Sequence, residues 1–144
     1  MISYSSGVLK PDCVRRCLVK EVFSIFETLG LKVVLVKELL LDANDVKVLY
    51  AYCFGQEHYR RLQDFMMSGT VVFYVARTER GNAIELLNTL VGATNPKVAL
   101  PNTIRGIYGH NVAENVIHST QNEKTFHVEI GHFLSEEERE RIRL

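Results

Sequence analysis

The residues best suited to chemistry in this chain are His118, at the end of the segment Asn115-Val116-Ile117-His118, and Glu129 in the stretch that follows. The histidine leaves an apolar run that reads as a strand, and the carboxylate lies about a turn inside the next helical pattern. Imidazole has an ordinary pKa near ~6.5, so near neutral pH one ring nitrogen keeps its lone pair while an acceptor such as a carboxylate holds the N–H of the other. A histidine so held can attack phosphorus. Lys10 follows the strand-like run Tyr4 to Leu9, which places an ammonium at the crevice that strand ends tend to form. Arg105, flanked by small and hydroxyl residues, suits bidentate binding of phosphate oxygens. It sits in the stretch Gly92 to Gly109, which has little periodicity and is long for a loop in a compact domain unless it serves function.

Other uses of these residue types are weaker. Of the five histidines, His127 and His132 are spaced so that they miss a common helical face, and no cysteine lies near either, which argues against zinc. Cys13, Cys17 and Cys53 form no CxxC pair, and Cys13 and Cys17 fall on one helix as structural thiols.

The elements that must position these groups alternate. A strand over Tyr4 to Leu9 meets Pro11, with Asp12 expected to cap the helix beyond it. Leu18, Val22, Ile25, Phe26 and Leu29 recur at helical spacing, and Gly30 stops the helix. The Val- and Leu-rich run from Leu31 to Leu41 reads as a central strand covered on both faces or nearly so. Asp42 and Asp45 cap a helix running through Tyr50 and Tyr52, and Tyr59 to Met67 forms another, closed by Ser68-Gly69. Val71 to Ala76 is a strand, Arg77 to Gly81 a polar turn, and Asn82 opens a helix buried through Ala83, Ile84, Leu87, Leu90 and Val91. Thr125 to Phe133 is a short helix with Phe126, Ile130 and Phe133 inward, and Ser135 to Leu144 a solvated capped helix. The pattern favours an α/β sandwich with a mixed or antiparallel sheet over a doubly wound parallel one.

At 144 residues the chain is expected to be one domain, 1–144, able to bury its own core. Its 17 basic and 17 acidic residues cancel, so no overall field would draw it to nucleic acid or an anionic membrane, and phosphates would need a local site. No run approaches a membrane span and no secretory leader is visible, so a reduced, cytoplasmic protein is expected.

Four motifs, Leu9-Lys10-Pro11-Asp12, Gly92-Ala93-Thr94-Asn95-Pro96, Thr103-Ile104-Arg105-Gly106 and Asn115-Val116-Ile117-His118, together resemble the nucleoside diphosphate kinases in order and spacing, and Met67-Ser68-Gly69 adds to the likeness. The resemblance covers nearly the whole chain. It implies a ferredoxin-like α+β sandwich with a four-stranded antiparallel sheet, and transfer of the γ-phosphate of ATP or another nucleoside triphosphate to a nucleoside diphosphate, ping-pong, through phosphohistidine. On that resemblance His118 is the nucleophile, Glu129 orients it, and Thr120 stands where the family has a serine hydroxyl. Lys10, Thr94 and Arg105 would hold phosphates, Asn115 with Lys10 would meet the sugar hydroxyl, and Tyr50 would line the site. Leu62 and Val112 would pack the base. Mg2+ would be the cofactor, carried by the nucleotide phosphates rather than by a metal site of the protein. The family also implies a homo-oligomer, for which a hexamer is expected over a tetramer, with no membrane and no specific nucleic acid as partners.

The chain departs from the family pattern at several positions. His58 replaces a base-stacking phenylalanine, which forfeits part of a stack worth about 1–3 kcal/mol. Asn88 occupies the place of a phosphate-binding arginine and is kept among the nucleotide-binding candidates. Loss of such a charge-assisted contact costs on the order of 1.5–3 kcal/mol unless Arg77 or Arg80 replaces it. Gln121 and Ile107 stand where carboxylates are usual. These changes define a second reading, a weakly active or regulatory nucleotide-binding relative, but the retained His118 and Glu129 put an active kinase ahead of it. A nucleic-acid-binding or scaffold protein is disfavoured by the missing basic stripe.

Overall fold

The computed structural model describes residues 1–144. Its sheet comprises β1 (Ser3–Leu9), β2 (Lys32–Leu39), β3 (Val71–Thr78) and β4 (Ile117–Ser119), ordered β2-β3-β1-β4 with every pairing antiparallel. The helices are α1 (Pro11–Arg15), α2 (Val19–Thr28), α3 (Ala43–Leu49), α4 (Tyr59–Met66), α5 (Ala83–Val91), α6 (Ile104–Tyr108), α7 (Glu123–Phe133) and α8 (Glu136–Arg141), with a 3-10 turn at Ala51–Cys53. This is the ferredoxin-like α+β sandwich expected from the sequence.

Strand alternation divides the core. Val8, Phe73 and Val75 face one layer with Val46, Leu49, Met66, Phe126 and Ile130. Leu9, Val72, Tyr74, Ala76 and Ile117 face the other with Val22, Phe26, Leu87 and Ile104. Period-two alternation on a sheet buried on both faces explains why all of Val71 to Ala76 is buried.

Five local readings are corrected. The Leu31 to Leu41 run is not central: β2 is an edge strand bonded to β3 alone, and Val36 and Leu40 stand exposed. β-Branched residues favour strands wherever the pleat is half buried, so a valine run reports strand propensity as much as coverage. Asp12 does not cap α1, whose N-cap residue is Lys10 and carries no side-chain cap. The stretch Gly92 to Gly109 contains α6, opened by the Thr103 hydroxyl accepting from the Gly106 N–H. The helix from Asp42 ends at Leu49, and Tyr52 and Phe54 beyond it are exposed. β3 extends to Thr78, so the turn after it is shorter than Arg77 to Gly81. No helix is long and apolar enough to cross a membrane.

Candidate active site

His118 is the middle residue of β4 and pairs with Val8 of β1, so its ring projects from the Val8 face of the sheet. On α7 the buried positions Phe126, Glu129, Ile130 and Phe133 form one stripe, and a carboxylate within such a stripe requires a partner. The partner is His118, whose Nε2 lies 2.8 Å from Glu129 Oε1 with both residues buried. A carboxylate accepts, so Nε2 carries the N–H and the lone pair falls on Nδ1, which has no hydrogen-bond partner in the protein. The Tyr50 ring meets the imidazole edge-on with centroids 5.0 Å apart. Burial pushes the Tyr50 phenol far above its ordinary value, which keeps the hydroxyl protonated.

The residues just before β4 are held by the turn after β1. Lys10 Nζ donates to Asn115 Oδ1 at 2.6 Å and to Ala113 O at 3.2 Å, while Asn115 Nδ2 donates to Thr94 O and Val112 O. Burial, seconded by the Arg105 guanidinium and opposed by Asp12, lowers the Lys10 ammonium to about 7. Val116 has φ +69°, a left-handed value that a β-branched residue rarely adopts and that carries strain on the order of 1–3 kcal/mol. The Ile117 N–H donates to Asn115 O at 2.9 Å across it, which makes a three-residue γ-turn.

Arg105, on α6, donates through its guanidinium to Gly92 O at 3.1 Å and Ile117 O at 2.6 Å, and its buried Nε has no partner. Burial lowers its pKa from the usual arginine value. Gly92 has φ +89°, and a Cβ there would overlap Thr103, so glycine lets the start of α6 close on the end of α5.

These groups line one cavity of about 740 Å³, large enough for a nucleotide. Its wall brings together Lys10, Tyr50, His58, Leu62, Thr94, Arg105, Val112, Asn115 and His118 from the candidates read in sequence. Glu129 stands behind His118. Two other candidates also lie outside the wall. Asn88 bridges α5 to the end of β4, accepting from Ser119 Oγ at 2.5 Å and donating to Thr120 O at 3.0 Å. Thr120 bonds Thr125 Oγ1 at 2.8 Å and makes no bond to Glu129. Arg77 and Arg80 do not stand in for the missing arginine: with Lys32 and Glu79 they border a separate, smaller cavity at the far end of β3.

Tyr52, read with Tyr50 as core or pocket lining, also lines the cavity, as do Arg61 and Asn111, to which no sequence candidate pointed. Arg61 was legible, since it lies three residues beyond His58 and one before Leu62 on α4. Asn111 was not, because its amide is folded into its own loop, bonded to Ala113, Glu114 and the Glu114 carboxylate. The wall carries no Asp or Glu, so its donors match phosphate oxygens and not a bare divalent cation.

The sequence profile of nucleoside diphosphate kinases matches residues 5–139. The nucleoside diphosphate kinase of Archaeoglobus fulgidus is 40% identical over 131 residues, covering 91% of this chain and 85% of that one. That of Methanocaldococcus jannaschii is 36% identical over 130 residues, covering 90% and 91%. Among solved structures, the Halobacterium salinarum nucleoside diphosphate kinase in complex with CDP superposes with a TM-score of 0.88 at 31% identity, over 96% of this chain and 91% of that one. The apo enzyme of Encephalitozoon cuniculi gives 0.88 at 26% identity, over 94% and 91%.

Proposed function

The chain belongs to the nucleoside diphosphate kinase family, and from that premise we propose how its own residues carry the reaction. It is a phosphotransferase that moves the γ-phosphate of a nucleoside triphosphate to a nucleoside diphosphate. The carrying observation is the 2.8 Å bond between His118 Nε2 and Glu129 Oε1, which leaves Nδ1 as the nucleophile. The Nδ1 lone pair attacks the γ-phosphorus in line, the P–O bond to the diphosphate breaks, and the diphosphate leaves with that bond's electrons. Phosphorylation makes the ring cationic, and Glu129 stabilises that charge through Nε2–H while fixing the ring plane. The second half-reaction reverses these steps onto a different diphosphate in the same cavity, so one site serves donor and acceptor in turn.

Lys10, Thr94 and Arg105 hold the phosphates, and Lys10 with Asn115 meets the sugar hydroxyl. Tyr50 packs against the nucleophile. Thr120, through Thr125, ties the end of β4 to the start of α7 and so fixes His118 against Glu129. His58 and Leu62 on one side and Val112 on the other take the base, with Arg61 at the same rim. Asn88 serves the nucleotide site only through the Ser119 hydroxyl and the Thr120 carbonyl. Mg2+, entering on the nucleotide, would supply neutralisation of phosphate charge, and Gln121, whose amide nitrogen donates to Ser119 O, would bring it a neutral oxygen and no charge.

We also place the protein in an oligomer, a hexamer before a tetramer, supported by exposed apolar side chains on β2 (Val36), just beyond it (Leu40), and on the 92–109 segment (Val98, Leu100, Ile107). Three free cysteines support a reducing cytoplasmic setting, and residues 1–144 would form one catalytic domain.

Incubation with γ-labelled ATP and Mg2+, followed by GDP, tests the reading. Acid-labile, base-stable label that chases into GTP, and that His118→Ala does not acquire, is the expected result. Nucleotide binding without label on the wild type would instead leave a regulatory nucleotide-binding relative.

A further inference from the structure

Asp12 does not line the cavity, yet it is buried and aimed at the backbone that carries the nucleophile. Its Oδ2 accepts the Val116 N–H at 3.1 Å, while the Lys10 N–H donates to Val116 O at 2.8 Å. The Lys10-Pro11-Asp12 turn therefore grips Val116 by both of its backbone polar groups. Val116 is the left-handed residue of the γ-turn between Asn115 and Ile117, with its side chain fully buried. A strained conformation persists only where its surroundings over-determine it. Relaxing φ at Val116 would rotate Ile117-His118 against Asn115, whose side chain is held by Lys10, Thr94 O and Val112 O, and so displace the nucleophile.

We propose that Asp12 is a positioning residue for phosphoryl transfer, the brace that keeps Val116 left-handed and so holds His118 Nδ1 in line with the phosphorus. The carboxylate acts through one backbone hydrogen bond and contacts neither nucleotide nor metal. Its other oxygen, Oδ1, is buried without a partner, and burial raises the carboxyl above its ordinary value despite Lys10 and the Val116 N–H. A group kept in so costly an environment is consistent with a fixed positional duty.

The inference rests on His118 being the nucleophile, and the test separates the two. Single-turnover phosphorylation of the enzyme by γ-labelled ATP is measured together with nucleotide Kd, for the parent and for Asp12→Asn, Asp12→Ala, Val116→Gly and Val116→Ala, and for Asp12→Ala combined with each change at Val116. A parent without label overturns the assignment of His118 itself. With a labelled parent, Asp12→Ala is expected to slow phosphorylation by about 10²-fold, the scale of a misplaced reacting group, with Kd changed less than about threefold. Asp12→Asn keeps an acceptor oxygen and should stay within about fivefold of the parent. Glycine adopts positive φ freely, so in the Val116→Gly background Asp12→Ala should cost less than about threefold, whereas in the Val116→Ala background the cost remains.

The brace is refuted if folded Asp12→Ala phosphorylates at the parental rate, or if its cost is undiminished in the Val116→Gly background. Should Asp12→Ala alone not fold, the Asp12→Ala, Val116→Gly double variant decides. Folded and within about threefold of Val116→Gly supports the brace, and unfolded or more than about tenfold slower overturns it.

Discussion

With Lys10 holding phosphate as proposed, nucleotide binding should be proton-linked to an extent that follows from the surroundings of its ammonium. In the free enzyme, burial and the Arg105 charge lower its ammonium to about 7, so near neutral pH about half the molecules lack the proton. The protonated fraction falls to ~0.1 at pH 8 and ~0.01 at pH 9 by simple titration. A bound diphosphate brings negative charge against Nζ and favours the charged form, which raises the pKa in the complex. Because the bound pKa exceeds the free one, binding takes up a proton, affinity is complete below pH 7, and it declines above. The uptake is ~0.1 proton at pH 6 and ~0.9 at pH 8, and the dissociation constant rises ~tenfold from pH 8 to pH 9. Titration calorimetry of Mg-ADP at pH 8, in buffers of differing ionisation enthalpy, measures this directly. At that pH the terminal phosphate, with a pKa near ~6, is already ionised and contributes little. Lys10→Met should abolish the uptake and flatten the slope. An uptake near zero in the parent, or one unchanged in Lys10→Met, refutes the reasoning.

Three further outcomes follow from the geometry. Glu129→Gln keeps a hydrogen-bonding partner for Nε2 but not its charge, and should slow phosphohistidine formation by roughly 10- to 100-fold, the equivalent of 1.5–3 kcal/mol, with nucleotide Kd nearly unchanged in equilibrium titration. Asn88→Ala should destabilise the fold by about 1–3 kcal/mol in urea denaturation, since it orphans Ser119 Oγ and Thr120 O, with a KM within about threefold of the parent. A steep rise in KM would instead put the Asn88 amide in contact with substrate. His58→Phe restores a larger stacking surface at the cavity rim and should tighten nucleotide binding by up to about 1 kcal/mol, read as a fivefold lower Kd; an unchanged Kd would place the base away from α4.

Much of the site was legible because its residues break local rules. Glu129 interrupts an otherwise apolar stripe through Phe126, Ile130 and Phe133, and a carboxylate there announces a buried partner. Lys10 before Pro11, and Arg105 after Thr103, lie at element boundaries where a charged side chain can reach a ligand. The caps at Asp42 and Ser135 and the helix start at Asn82 are local hydrogen-bond patterns, and each appears where the sequence placed it. The antiparallel α+β sandwich followed from resemblance to a family, since alternation alone left a mixed sheet open.

What the sequence by itself determined is the set of elements and the inventory of reactive groups, because strand periodicity, helical stripes and caps depend on neighbours a few residues away. Only the tertiary structure decided that β2 lies at the edge, that Asn88 is spent on the Ser119 hydroxyl and the Thr120 carbonyl at the end of β4, and that Arg77 and Arg80 stand at the wrong end of β3. It alone turned Asp12 from an expected helix cap into the acceptor of the Val116 N–H. Such outcomes depend on contacts between residues far apart in the chain. A carboxylate or amide satisfies whichever donor the fold brings nearest, and its local pattern does not encode which donor that is.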